Sequence, residues 1–337
     1  TNTRRTGTLQ LAKAWDPGAI TGNQVTIGAT TGGTNNTVSF NATASTAANS
    51  GTPVTVSVGD VITLPAEGGT NVGNYATTVA CTGGHTLSGT DGQATNTLTI
   101  TSTNAAVCTY TNTPKRRSVT VQKDLLPAAD TGRFNLQING TTVATNAGNG
   151  DTGTTTNLVV GSAVTVAELA GTPNVSLGYY TTELVCPGAT VTASANNQSG
   201  TFTLPDADVT CTFTNTRNQW VLYVTKSVVG APASGAPGDY EFSVTCDGVT
   251  YTPMVTISNG AITETTSFSV PAGVNCGALS ETGLPTPPAG YVWGGATVSS
   301  PLQPLENGGA WTVQNSLIQP SITTTKTSDP ANGTSVT

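Results

Sequence analysis

The chain is written in short stretches of strict alternation. Apolar and polar positions exchange with a period of two over Leu9–Ala14, Gln24–Gly28, Thr37–Ala42, Val54–Val58, Val61–Leu64, Thr77–Cys81, Thr97–Thr101 and Val107–Thr111, with Gly, Asn and Ser turns between them. Such alternation turns one face of an extended strand to a core and the other to water. Many short strands between turn residues predict a β-sandwich. A second series follows at Ser118–Lys123, Arg133–Ile138, Thr141–Thr145, Thr154–Val160, Ala163–Glu168, Tyr179–Cys186, Gly200–Leu204 and Val209–Thr214. No long segment has the helical period.

One junction recurs and sets the organisation. Cys108-Thr-Tyr110-Thr-Asn112 followed by Val119-Thr-Val121-Gln-Lys123 returns as Cys211-Thr-Phe213-Thr-Asn215 followed by Leu222-Tyr-Val224-Thr-Lys226. A weaker copy is Trp311-Thr-Val313-Gln-Asn315, then Ile322-Thr-Thr324-Thr-Lys326, and the chain opens on half of the motif, with Asn2 and then Leu9-Gln-Leu11-Ala-Lys13. Lys13, Lys123, Lys226 and Lys326 are 110, 103 and 100 residues apart, and Asn2, Asn112, Asn215 and Asn315 keep the same intervals. The reading is all-β, with tandem Ig-like sandwiches. Residues 1–5 end an upstream domain or complete a neighbour, 6–113, 114–216 and 217–316 are three repeats, and 317–337 start another. Short linkers, Pro114 to Arg117 and Arg217 to Gln219, predict an elongated rod.

Composition narrows the function. Only 9% of residues are charged while 36% are hydrophobic, which suits small sandwich cores and not a solvated disordered chain. The net charge of −7 excludes a nucleic-acid partner, which would need clustered Lys and Arg, and no apolar run reaches membrane-spanning length. Six cysteines fall two to a repeat, and pairing within repeats (Cys81–Cys108, Cys186–Cys211, Cys246–Cys276) is the simplest of the connectivities they allow. That implies an oxidising, extracytoplasmic compartment. With no CxxC and a single histidine, His85, neither a metal centre nor a Ser-His-Asp set is expected. No cofactor is expected either.

The lysines carry the chemistry. Four of the five occupy one repeat position, and Lys13, Lys123 and Lys226 share strand parity with the apolar residues before them. Asn112, Asn215 and Asn315 likewise share a face with Tyr110, Phe213 and Val313. Each amine and each amide therefore points inward. A buried ammonium is costly and tends to lose its proton, which makes it a nucleophile. Attack on an asparagine side-chain carbonyl would release ammonia and leave an isopeptide bond, helped by a carboxylic acid held neutral by apolar surroundings. Glu168 lies on the face of Val164 and Val166. Glu281 precedes Tyr291 by ten residues, much as Glu168 precedes Tyr179 by eleven, and Glu67 needs a bulge near Pro65 to turn inward.

With an inward Lys in the first strand, an inward Asn in the last, and Glu168 in the Thr165–Glu168, Gly178–Tyr180 stretch, the chain resembles the B-type repeats of bacterial surface adhesins and pilins, the Cna B-like or prealbumin-like sandwiches. The resemblance implies autocatalytic Lys–Asn isopeptide bonds formed by Lys123, Glu168 and Asn215, by Lys226, Glu281 and Asn315, and by Lys13, Glu67 and Asn112. It also implies a stalk or filament role at a bacterial surface or in a secreted fibre. Asn2 and Lys326 lack partners within the chain and suggest further repeats or head-to-tail joining of copies. The second function class is a ligand-binding adhesin module that recognises a host or surface glycan or protein. Turnover of an external substrate is not expected, since isopeptide formation is a single event.

Overall fold

The structure is a computed structural model that describes residues 3–31, 37–46, 49–172, 176–300 and 305–321. Asn2 and Lys326 lie outside them.

Threonine, valine and isoleucine at alternate positions favour pleated, half-buried strands, and the described chain is almost wholly β. The first repeat holds β1 (Thr6–Trp15), β2 (Gln24–Thr31), β3 (Thr37–Thr43), β4 (Val54–Ser57), β5 (Val61–Leu64), β6 (Tyr75–Cys81), β7 (Thr86–Leu87), β8 (Asn96–Thr99) and β9 (Ala106–Pro114). The second holds β10 (Arg116–Leu126), β11 (Phe134–Ile138), β12 (Thr141–Ala147), β13 (Thr152–Val159), β14 (Ala163–Ala170), β15 (Tyr180–Val185), β16 (Thr192–Ala193), β17 (Ser199–Thr203) and β18 (Val209–Arg217). The third holds β19 (Gln219–Val229), β20 (Gly238–Cys246), β21 (Val249–Tyr251), β22 (Met254–Ile257), β23 (Thr263–Pro271), β24 (Ser280–Gly283), β25 (Val292–Ser299) and β26 (Ala310–Ile318).

Each repeat is a two-sheet sandwich. One sheet has the order β4-β1-β9-β6, β13-β10-β18-β15 or β23-β19-β26-β25, and the facing sheet is β3-β2-β5-β8-β7, β12-β11-β14-β17-β16, or β21-β20-β22 with β24 also on β20. In all three, the first and last strands lie side by side and parallel, as β1 with β9, β10 with β18 and β19 with β26. Three separate cores fill the sandwiches. They centre on Leu9, Leu11, Ile62 and Leu98, on Val119, Val121, Leu136 and Val164, and on Leu222, Val224, Phe242 and Trp311.

The chain divides into two compact units, one taking in the first two repeats and the other the third repeat with Gly178–Tyr180. The stretches expected as linkers are strand. Only Lys115 separates β9 from β10, and only Asn218 separates β18 from β19. Lys115 N–H donates to Asn74 O in the first repeat, while its carbonyl accepts from Val160 N–H in the second, so this junction residue is hydrogen-bonded on both sides.

Disulfides join Cys81 to Cys108, Cys186 to Cys211 and Cys246 to Cys276, with S–S distances of 2.04, 2.00 and 2.03 Å. The first two staple the last strand of a repeat to the chain of its edge strand. The third ties the end of β20 in the facing sheet to the segment after β23, because its cysteines occupy different positions in the repeat.

Candidate functional site

The parallel pairing of first and last strands builds the same arrangement three times. Lys13, Lys123 and Lys226 stand opposite Tyr110, Phe213 and Val313. Asn112, Asn215 and Asn315 come two residues later on those partner strands, on the same inward face. Relative exposure is 7%, 0% and 0% for the lysines and 0%, 0% and 1% for the asparagines. An amine and an amide are thus buried together under the closing strands of each sandwich.

The acids reach the lysines by three local routes. Glu168 lies within the continuous strand β14, opposite Leu136 of β11, and Lys123 Nζ donates to its Oε2 at 2.9 Å and to Phe213 O at 3.0 Å. Glu281 comes from the short strand β24, and Lys226 Nζ donates to its Oε1 at 2.7 Å. Glu67 lies where the pairing with β2 gains one extra residue: Thr30 with Thr63 is followed by Thr26 with Gly68, four residues against five, as in a β-bulge. β5 stops at Leu64, the chain passes Pro65, and Glu67 N–H is held by Gly92 O at 2.9 Å while Gly68 bridges Thr26. Lys13 Nζ then sits 2.6 Å from Glu67 Oε1, at ion-pair distance but off the direction of a hydrogen bond.

The amides differ more. In repeat three, Lys226 Nζ donates to Asn315 Oδ1, and Asn315 Nδ2 donates to Glu281 Oε2 at 2.8 Å, so amine, acid and amide all touch. In repeat one, Thr77 Oγ lies 2.6 Å from Asn112 Oδ1 and 3.0 Å from Glu67 Oε2, between amide and acid. In repeat two, Thr182 Oγ donates to Glu168 Oε1 at 3.0 Å, and neither side-chain atom of Asn215 has a hydrogen-bond partner among the described residues. A fully buried amide without partners is costly.

An aromatic ring covers each amine. Trp15, Phe134 and Tyr240 hold Lys13, Lys123 and Lys226 Nζ at 4.8, 4.5 and 4.9 Å from the ring centroid. Burial lowers the pKa of all three lysines below the ordinary 10.5, outweighing the neighbouring glutamate, which pulls the other way. Burial, followed by the charge of Glu67 or Glu281, pushes Tyr110 and Tyr240 up to about 12. Burial thus shifts each amine toward its neutral, nucleophilic form, with a glutamate side chain at ion-pair distance.

Sequence reasoning missed the covering rings and the two threonines. The rings had no common motif, since Trp15 comes from the first strand while Phe134 and Tyr240 come from the second strand of their repeats. The threonines did leave a signal, because Tyr75-Ala-Thr77 and Tyr180-Thr-Thr182 put a hydroxyl on the inward face beside the last strand. His85, in its glycine loop, is half-buried, its ring bonded to Asn104 O at 3.2 Å and to Thr101 N–H at 3.2 Å.

Several solved structures are similar to this chain. The Bacillus anthracis TIE protein is 12% identical with a TM-score of 0.45, over 93% of this chain and 50% of that one. The open conformation of the pilus adhesin SpaC from Lactobacillus rhamnosus GG is 13% identical with a TM-score of 0.34, over 96% of this chain and 44% of that one. A Mobiluncus mulieris adhesin described as containing intramolecular disulfide, isopeptide and ester bond cross-links is 13% identical with a TM-score of 0.26, over 60% and 87%. This chain thus spans about half the length of the first two. No curated protein matches it. Residues 18–114 and 118–217 match the family described as the prealbumin-like fold domain. With more than half its length matched and its sheets closed by parallel first and last strands, the chain belongs to the prealbumin-like fold domain family.

Proposed function

We propose that this chain is a structural segment of a bacterial extracellular adhesin or fibre, and that each repeat locks itself with a Lys–Asn isopeptide bond. The bonds join Lys13 to Asn112, Lys123 to Asn215 and Lys226 to Asn315, with Glu67, Glu168 and Glu281 as the respective acids. The nitrogen lone pair of the neutral lysine adds to Cγ of the asparagine. The acid moves the proton from Nζ to Nδ2, and ammonia leaves as the carbonyl re-forms. The observation that carries the reading is the threefold burial of amine, acid and amide under parallel first and last strands. Nothing in core packing calls for it, and a single unpaired partner would be destabilising.

The position of the bond suits a load-bearing role. A strand pair that receives tension at the start of β1 and passes it on at the end of β9 is tied by Lys13 and Asn112, so force bypasses the sandwich between them. Membership of the prealbumin-like fold domain family agrees with this use. The partners in this reading are further repeats or other copies of the same protein, on the cell surface or in a secreted fibre. Intact mass tests it. The chain should weigh less than its residues with three disulfides by one ammonia per closed repeat, and digestion should release branched peptides joining the named lysines and asparagines. An unshifted mass refutes the proposal.

A further inference from the structure

The hydroxyl of Thr77 occupies a place that a structural residue would not need. Thr77 is 5% exposed and stands opposite Asn112 across β6 and β9. Valine has nearly the same shape there without a polar group to satisfy. Its oxygen lies 3.0 Å from Glu67 Oε2 and 2.6 Å from Asn112 Oδ1. A hydroxyl has a single proton, and the amide oxygen can only accept. Thr77 can donate to Asn112 Oδ1 while accepting from Glu67 when Glu67 is in its acid form, and Lys13, at Glu67 Oε1, can supply that proton.

The backbone keeps this alignment. Gly92 N–H donates to Thr77 O at 3.0 Å, and Gly92 O accepts from Glu67 N–H at 2.9 Å, so one residue registers both groups. A Cβ on Gly92 would lie 2.5 Å from Thr77 Cγ2, so only glycine lets the threonine sit there. Repeat two holds the matching Thr182 by different residues, against its acid Glu168 and without a hydrogen bond to Asn215. Asn197 Nδ2 donates to Thr182 O at 3.1 Å, and the next residue's carbonyl, Gln198 O, accepts from Glu168 N–H at 2.9 Å. Thr182 and Asn215 are each four residues from the Cys186–Cys211 disulfide, as Thr77 and Asn112 are from Cys81–Cys108. In repeat three the residue opposite Asn315 is Ala296, and Glu281 touches the amide itself.

Resting on the isopeptide reading above, we propose that Thr77 is a catalytic residue of the repeat-one site, relaying the proton of Glu67 to the amide oxygen of Asn112. As Lys13 Nζ adds to Asn112 Cγ, the carbonyl electron pair moves to Oδ1, which takes the Thr77 proton while Thr77 takes that of Glu67. The resulting carboxylate removes a proton from the new cationic Nζ. On collapse the carboxyl passes that proton to Nδ2, the C–N bond breaks and ammonia leaves. The Oδ1 proton returns through Thr77 to Glu67, so acid and hydroxyl end as they began.

The test compares the full wild-type chain with T77V, T77S and E67Q, each made by oxidising cell-free translation and digested at intervals. The readout is the branched peptide joining Lys13 to Asn112, with the Lys226–Asn315 peptide as internal control. Losing one donor to a developing oxyanion costs on the order of 10²–10³ in rate. T77V should therefore close repeat one more slowly by that order, T77S should restore most of the rate, E67Q should not close, and repeat three should close normally in all. Repeat-one closure in T77V at the wild-type rate overturns the proposal, as does equal slowing in T77S and T77V with the Cys81–Cys108 disulfide formed. A wild-type chain with no repeat-one branch overturns the isopeptide reading itself, and the relay with it.

Discussion

Asn215→Ala isolates the crosslink of repeat two more cleanly than any change to its acid. Asn215 is fully buried and its amide has no hydrogen bond to lose, while the Lys123–Glu168 pair at 2.9 Å stays intact. The substitution therefore removes the covalent tie and leaves Lys123 a free amine against Glu168. The tie closes a loop of about 90 residues, which the disulfide, bypassing 25 of them, shortens to an effective 65–70. Chain-entropy arithmetic for such a loop gives about 4.4 kcal/mol, and the lost carboxamide packing adds on the order of 1 kcal/mol. In a sandwich of about a hundred residues each kcal/mol moves Tm by roughly 4–8 °C, so the melting point of repeat two should fall by roughly 20–40 °C. Calorimetry measures the shift, and intact mass should show one ammonia more than wild type after correction for the substitution. Equal ammonia counts in the two proteins, or a Tm difference of only about 2 °C, would refute the reasoning.

Glu168→Ala also blocks the bond but strands Lys123 without its carboxylate, so it should melt well below Asn215→Ala, by an added cost of about 3–5 kcal/mol; calorimetry on the pair of variants checks this. In Asn215→Ala, burial holds the Lys123 pKa below 10.5, so between the depressed value and 10.5 the unfolded chain binds the extra proton. Stability should therefore rise with pH through that window, and melts of Asn215→Ala against the Lys123→Met, Asn215→Ala double variant should show the rise only in the former. Replacing Cys81 and Cys108 by alanine opens a loop with a separation of 27 and should cost about 3.5 kcal/mol, read by chemical denaturation. Glu281→Gln should leave repeat three unclosed, with no Lys226–Asn315 branched peptide in a digest.

Much of this molecule was readable along the chain. Alternation of apolar and polar residues determined which side of each strand faces the core, because a pleated strand allows only two choices. That is how the burial of Lys123 beside Val119 and Val121, or of Asn315 beside Trp311 and Val313, could be read with no coordinates. Repeat length and all-β class followed from spacing and pattern, and pairing of the cysteines within repeats was the simplest connectivity that spacing allowed. Three-dimensional folding settled everything that depends on segments far apart in sequence. It set β1 parallel to β9, so that an amine and an amide nearly a hundred residues apart fall on one face, and it carried Glu67 inward by resuming the pairing with β2 one residue out of step after Pro65. It also chose Trp15, Phe134 and Tyr240 as covers and brought Thr77 between Glu67 and Asn112. Side-chain periodicity is a one-strand property that any window of residues displays, whereas these contacts are made across strands and sheets, whose register is set by the packing of the whole sandwich.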